Sequence, residues 1–157
     1  MAPPRILADE MVGRLARYLR MVGCDTEYAH SCSDDEIVRR ARAEHRIVVT
    51  RDRDLARRVP GSVLLGSGEL AAQVRAMWGA LPTIPREIRF DRCTLCNGAL
   101  APCQSAARSS PQSGIPWERI DTGLTLFRCD SCGHLYWEGT HTESVRSRLR
   151  RWLGGAE

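Results

Sequence analysis

Ile47-Val48-Val49-Thr50-Arg51-Asp52-Arg53-Asp54-Leu55 runs from β-branched apolar residues directly into alternating arginine and aspartate. The apolar part is a short strand with no polar residue among its first three, a pattern that needs cover on both faces. Cover of that kind comes from helices, and from Arg5 to Leu81 short apolar runs do alternate with helical periods. Upstream, Ile6 to Ala8 reads as a buried strand. Val12, Leu15, Ala16, Leu19 and Val22 then recur at helical spacing, and Gly23 stands where a C-terminal cap residue is expected. Thr26 to Ala29 is a second strand. Ser33 with Glu36 three residues on carries the capping-box signature, opening a helix whose inward residues are Ile37, Val38 and Ala41. Downstream, Leu55 falls in a short helix, Ser62 to Leu65 gives a fourth strand, and Leu70 to Trp78 a helix with Leu70, Val74 and Met77 facing in. The expectation is an α/β fold, a small parallel sheet flanked by helices.

Gly79 to Pro85 cannot continue a helix past Pro82 and reads as a connector. The chain is therefore expected to divide into an α/β unit at residues 1–82, a linker at 83–89, a cysteine-rich module at 90–141 and a basic C-terminal helix at 142–157. Within that last segment, Glu143 to Leu153 places Val145, Leu149, Trp152 and Leu153 on one side and Arg146, Arg148, Arg150 and Arg151 over the remainder. Gln104 to Gly114, rich in Ser, Ala, Pro and Gly, is expected to be a mobile loop.

The cysteine-rich module contains Cys93-Thr94-Leu95-Cys96-Asn97-Gly98 and Cys129-Asp130-Ser131-Cys132-Gly133-His134. Each CxxC places two thiols on a tight turn whose backbone amides can donate to sulfur, and two such knuckles complete a tetrahedral four-thiolate shell suited to structural Zn²⁺. A closed shell leaves no position for water or substrate, so its role is folding rather than chemistry. Poor apolar periodicity from Phe90 to His141 agrees, because a bound ion can substitute for a core too small to fold unaided. Cys103 is a spare thiol in the loop, and Cys24 and Cys32 read as ordinary residues of the α/β unit.

Composition bounds the rest. A chain of 157 residues, 43% hydrophobic and 27% charged, is ordinary globular material, without an apolar run of membrane-spanning length or a signal-peptide core; it is read as soluble, unexported and cytoplasmic. The net charge of +4 suits a polyanionic partner without requiring one. All 23 basic residues are arginine, a side chain that forks onto phosphate and stacks on bases, although genomic codon bias gives the same result.

Asp9 follows the first strand, Asp34 and Asp35 open a helix, and Asp52 and Asp54 follow the strand Ile47 to Thr50. In an open parallel sheet, ligands bind beyond the carboxyl ends of the strands, where such aspartates can converge. Converging carboxylates demand a cation, and hard oxygen donors suit Mg²⁺ or Mn²⁺. Each aspartate also has a purely local reading: Asp34 and Asp35 complement a helix dipole, Asp52 can be an N-cap, and Asp9 beside Glu10 can be a solvated pair.

Asp9-Glu10-Met11, Gly13-Arg14-Leu15-Ala16-Arg17-Tyr18-Leu19-Arg20-Met21-Val22-Gly23, Ser33-Asp34-Asp35-Glu36-Ile37, Thr50-Arg51-Asp52-Arg53-Asp54-Leu55 and Tyr136-Trp137-Glu138-Gly139-Thr140-His141 together resemble the PIN-like RNase family known from the C-terminal part of Mut-seven-type exonucleases. The similarity runs from about Ile6 to His141, with the family's order of nuclease domain and then zinc ribbon. It implies a PIN-like fold and a divalent-metal ribonuclease activity, with catalytic acids at Asp9, Asp34, Asp52 and Asp54, the first three holding Mg²⁺ or Mn²⁺. The family's glycine-serine-histidine ending is here Gly139-Thr140-His141, which keeps a hydroxyl.

Substrate contacts are expected from Arg51, beside the acids, and from Arg128, Trp137 and His141, with His141 alternatively packed on the ribbon. Arg119, Arg146, Arg148, Arg150 and Arg151, with Trp117 and Tyr136, add groups able to track phosphates and stack unpaired bases, which points to single-stranded RNA laid across the crevice. The competing reading is a catalytically silent RNA-binding or adaptor protein on the same fold. No membrane partner is expected, and no protein partner or antitoxin is assignable.

Overall fold

A computed structural model describes residues 1–103 and 108–154. Strands β1 (Ile6–Asp9), β2 (Thr26–Ala29), β3 (Ile47–Thr50) and β4 (Val63–Leu64) form a parallel sheet in the order β2-β1-β3-β4. Helices α1 (Gly13–Met21), α2 (Asp34–Glu44) and α3 (Arg53–Arg58) connect them, and α4 (Leu70–Ala80) follows β4. Alternation along the strands explains how the layers are filled. Ile6, Ala8 and Val49 face the side that carries α1 and α4, meeting Leu15, Leu19, Val74 and Met77. Leu7 and Val48 face the other side and meet Ile37, Ala41, Leu55 and Val59 from α2 and α3.

The local signals act as their chemistry dictates. Ser33 Oγ accepts from the Glu36 amide at 3.2 Å, while the Glu36 carboxylate turns outward to Arg39 instead of closing the reciprocal half of the box. Gly23 has φ +89°, and a Cβ there would lie 2.9 Å from Asp91 Oδ2, so both conformation and space call for glycine.

The cysteine-rich module is a three-stranded antiparallel sheet of β5 (Leu100–Cys103), β6 (Leu126–Cys129) and β7 (Leu135–Trp137), with a short helix α5 (Trp117–Asp121) before β6. Its apolar centre is slight: Leu126 and Leu135 are buried, with Trp117, Ile120 and Trp137 packed around them. Of the expected loop Gln104 to Gly114, residues 104–107 lie outside the described residues. Gln112 within it is tied down, its amide exchanging two hydrogen bonds with the Leu135 backbone at 2.8 and 3.0 Å, as a neighbouring strand would.

The last helix, α6 (Thr140–Leu153), begins about a turn earlier than its apolar pattern indicates, because the Gly139 amide donates to Thr142 Oγ1 at 2.9 Å and caps it. It does not extend the ribbon. Val145 and Leu149 enter the core on the α1 and α4 side of the parallel sheet, and Trp152 lies 5.4 Å from Tyr18 of α1. Among the described residues no helix is long and apolar enough to cross a membrane.

Candidate functional site

The helix after β1 covers one face of the sheet and the helix after β3 the other, so the chain leaves these adjacent strands in opposite directions. A crevice opens at such a switch point, beyond the carboxyl ends of the strands. Asp9 is the last residue of β1, and Thr50 the last of β3.

Thr50 links the carboxyl ends of β1 and β3. Its side chain is fully buried, and its hydroxyl donates to Asp9 Oδ2 at 2.7 Å while accepting from the Asp52 amide at 2.9 Å. Asp9 Oδ1 accepts from the Glu10 amide at 2.6 Å, so both Asp9 oxygens are oriented. Asp52 caps α3, its Oδ1 accepting from the amides of Asp54 (2.8 Å) and Leu55 (3.2 Å). The N-cap reading of Asp52 and the functional one are therefore compatible, because capping holds one oxygen and orients the other.

The remaining acids stand at the same end of the sheet on separate elements. Asp34 is the first residue of α2 and exposed. Its neighbour Asp35 pairs with Arg58, and Asp54 pairs with Arg57 at 3.2 Å. Asp9 and Asp52 are thus brought together through Thr50, whereas Asp34 shares no hydrogen bond with either. Arg51 lies beside the crevice with its Nε buried and without a hydrogen-bond partner; a Cβ on Gly68 would sit 3.2 Å from its Nη1, so glycine there leaves room for the guanidinium.

The four predicted thiols converge. Among the described residues, Cys93, Cys96, Cys129 and Cys132 form the group of metal-ligand side chains whose donor atoms all lie within 4.8 Å of one another. Cys93 and Cys132 sulfurs are 3.6 Å apart, those of Cys96 and Cys129 3.4 Å. A tetrahedral zinc site with bonds of about 2.3 Å spaces its sulfurs by about 3.8 Å, so these residues fit zinc closely. Gly98 is required here, since a Cβ would meet Cys129 Sγ at 2.7 Å. Cys103 stays outside the cluster, and burial pushes the Cys24 thiol up to about 12, which leaves it unreactive.

Several residues with no obvious sequence signature lock the first knuckle onto the α/β layer. Arg20 of α1, only 6% exposed, donates from Nη1 to the carbonyls of Thr94 (3.0 Å) and Leu95 (3.2 Å), and from Nε to that of Thr26 (2.8 Å). Asn97, left-handed at φ 66° and buried, accepts from the Thr26 amide (2.9 Å) and donates to Asp25 (2.8 Å) and Glu27 (3.0 Å). Tyr136 Oη lies 3.0 Å from Cys93 Sγ, placing a hydroxyl donor beside a ligand. Burial would raise the Asp25 carboxyl, but hydrogen bonds from Arg46 and Asn97 and the charges of Arg46 and Arg92 outweigh it and hold it at about 2.

These contacts attach the ribbon at the amino end of β2 and the last turn of α1, the end of the sheet opposite the acidic crevice. The ribbon residues expected to touch substrate are placed accordingly. Trp137 packs against the small ribbon core, and Arg128 lines a ribbon groove with Gln112 and His134. His141, exposed in the first turn of α6, lines a small cavity with Met21, Tyr136 and Val145. Of the basic groups, Arg146 is taken up by Glu138 and Glu143, Arg119 by the Glu138 carbonyl and Arg148 by the Tyr18 hydroxyl.

In comparisons with curated proteins and with solved structures, nothing matches this chain. A family model described as the Mut7-C RNAse domain matches residues 4–149, which takes in the acidic crevice, the four cysteines and most of α6. The chain belongs to the Mut7-C RNAse domain family.

Proposed function

We propose that this protein is a ribonuclease that hydrolyses RNA phosphodiester bonds at the β1/β3 crevice with the help of Mg²⁺ or Mn²⁺. The observation that carries the reading is the Asp9–Thr50–Asp52 chain at the switch point, where a buried hydroxyl fixes one carboxylate and the backbone of the next.

The donor set suits such an ion. Mg²⁺ keeps several waters and needs only one or two carboxylates plus substrate oxygens, so the Asp9–Asp52 pair suffices without a tight nest of three. When bound, the ion supplies positive charge to the phosphate oxygens and acidifies a coordinated water. Asp52 would hold it through Oδ2, which the α3 amides leave free, and Asp9 through the lone pairs that remain beside its hydrogen bonds from Thr50 and the Glu10 amide. Asp34 and Asp54, exposed at the same end of the sheet, complete the acidic rim and can take up the proton of the attacking water. Arg51, between Thr50 and Asp52 with its guanidinium beside the Gly68 loop, is assigned to the scissile phosphate through its terminal nitrogens. Zinc at the four cysteines serves folding, and Arg128 on the ribbon is left to contact RNA that extends beyond the crevice. As functional units we take residues 1–82 as the nuclease, 83–89 as linker, 90–141 as zinc ribbon and 142–157 as the basic C-terminal segment, whose described helical part returns to the nuclease core.

The test is cleavage of labelled single-stranded RNA by zinc-loaded protein, with Mg²⁺ or Mn²⁺ added or omitted, beside Asp52→Asn. Cleavage should require the added ion and fall in the variant by on the order of a hundredfold or more, beyond the effect of losing an outer-shell partner. Full activity without the ion, or in the variant, would remove the mechanism.

A further inference from the structure

A groove of about 510 Å³ lies where the C-terminal half of α4, the Arg86 segment and the end of α6 meet. Trp152, half-buried, and the edge of the buried Trp78 line it, and Arg75, Arg86 and Arg151 stand around it with no aspartate or glutamate in the lining; Arg86 Nη1 donates to the Leu153 carbonyl at 3.4 Å. Trp78 is fixed by donating Nε1 to the Pro85 carbonyl at 3.0 Å, and Trp152 by its contact with Tyr18. All three arginines are exposed, and none forms an ion pair among the described residues, in contrast to Arg146, Arg57 and Arg58. They come from three separate segments, so a single charge run along one helix does not explain their meeting. Like charges gathered in one groove beside the half-buried Trp152, with no carboxylate partner among the described residues, match the phosphates of a nucleic-acid strand.

We propose that this groove is an exosite for the phosphate backbone of single-stranded RNA. The inference deepens the ribonuclease reading and rests on it for the identity of the ligand. Helix α4 runs back from the carboxyl end of the sheet, so its C-terminal half lies toward the end opposite the acids. Its 11 residues span about 16 Å, which sets the scale of the separation. An RNA chain held here reaches the crevice along the flank of the molecule, and a dinucleotide is too short to occupy both sites. The groove thus selects for length, whereas the crevice carries the chemistry.

The test is fluorescence anisotropy with long labelled oligouridine and zinc-loaded protein, without added Mg²⁺ or Mn²⁺, comparing wild type with Arg75→Ala/Arg86→Ala/Arg151→Ala. A second triple variant, Arg39→Ala/Arg42→Ala/Arg108→Ala, removes equal charge from other surfaces. Each lost phosphate contact reduces the salt slope for a single strand by about 0.7, so the groove variant should have a slope about 2 shallower and, at about 0.1 M salt, affinity lower by on the order of a hundredfold. The control should change far less, and with Mg²⁺ both variants should cleave a dinucleotide at the wild-type rate. Equal losses in the two triple variants, unchanged binding in the groove variant, or absence of RNA binding by wild type would overturn the exosite. So would groove-dependent binding to phosphatidylserine vesicles with RNA affinity unaltered, which would assign the surface to membranes. Dinucleotide cleavage that persists while the groove variant binds like wild type defeats the exosite alone; loss of metal-dependent cleavage in wild type defeats the nuclease reading.

Discussion

Asn97→Ala tests whether the ribbon is clamped to the α/β layer by side-chain chemistry or merely carried beside it. Asn97 is 4% exposed, and its amide makes three hydrogen bonds to the β2 region. Truncation leaves the Thr26 amide buried without a partner, at about 1–3 kcal/mol, and removes two donors to carboxylates, each worth about 1.5–3 kcal/mol before Arg46, Arg92 and water compensate. Alanine must also hold φ near 66°, which costs about 1–2 kcal/mol more than glycine would. With compensation, the expected loss is about 3–5 kcal/mol, or roughly 8–16 °C in Tm for a chain of this size. Urea and thermal unfolding of the zinc-loaded proteins measure it, with zinc content determined in parallel because the four cysteines are untouched. Asn97→Gly should lose the same hydrogen bonds yet be about 1 kcal/mol more stable than the alanine variant. A loss below 1 kcal/mol, or alanine more stable than glycine, would refute the clamp.

Leu149→Ala should cost about 2–5 kcal/mol if α6 belongs to the main core, measured by urea unfolding; a loss under 1 kcal/mol would place the helix outside it. The lowering of the Asp25 carboxyl from 3.8 to about 2 corresponds to roughly 2 kcal/mol, present above pH 4 and lost as pH falls through 2. The stability gap between wild type and Asp25→Asn should therefore close over that interval, and earlier if zinc leaves first and frees Asn97 from Asp25; a gap independent of pH refutes the assignment. Thr50→Val keeps the shape of a buried residue but frees Asp9 and orphans the Asp52 amide, so RNA cleavage should fall about 10- to 100-fold, and the concentration of Mn²⁺ needed for half activity should rise. An unchanged Mn²⁺ requirement would show that Thr50 does not position the acids.

Strands and helices were legible where periodicity controls burial. Ile47 to Thr50 and Thr26 to Ala29 fall at the residues where the strands lie, and the inward positions of α1, α2 and α4 are buried as their spacing requires. The spacing of the two CxxC pairs was equally informative, because tetrahedral coordination leaves few alternatives. The ribbon strands were not legible, since Leu126 and Leu135 supply too little apolar pattern to reveal a register that the cysteines organise. Arg20 escaped notice for a different reason: it follows Leu19 on the inward side of α1, where charge is unexpected, and only the carbonyls of a distant knuckle explain its burial. Thr50 read as the end of a strand, and its role emerges only when β1 and β3 are adjacent.

The position of the ribbon sets how the four-cysteine cluster and the acidic end of the parallel sheet relate. Had it stood over the acidic crevice, loss of zinc would be expected to remove a substrate-binding wall. Instead the first knuckle is joined to the amino end of β2 and the last turn of α1, and β2 borders β1, whose far end carries Asp9. The knuckle carbonyls of Thr94 and Leu95 hold a nearly buried guanidinium, and removing them would strand that charge, at a cost of several kcal/mol. Unfolding of the ribbon therefore acts on the α/β layer through α1 and β2 as a loss of stability, and on RNA only through the contact proposed for Arg128. The helix α6 reinforces this dependence, because the chain passes through the ribbon before Val145 and Leu149 return to complete the core shared by α1 and α4. A ribbon without zinc leaves that return segment tethered to a disordered loop, and closing a longer loop adds an entropic cost that grows only slowly with its length. The larger penalty is the stranded Arg20, so zinc dependence of the whole molecule is expected to be set at the Arg20–knuckle contact.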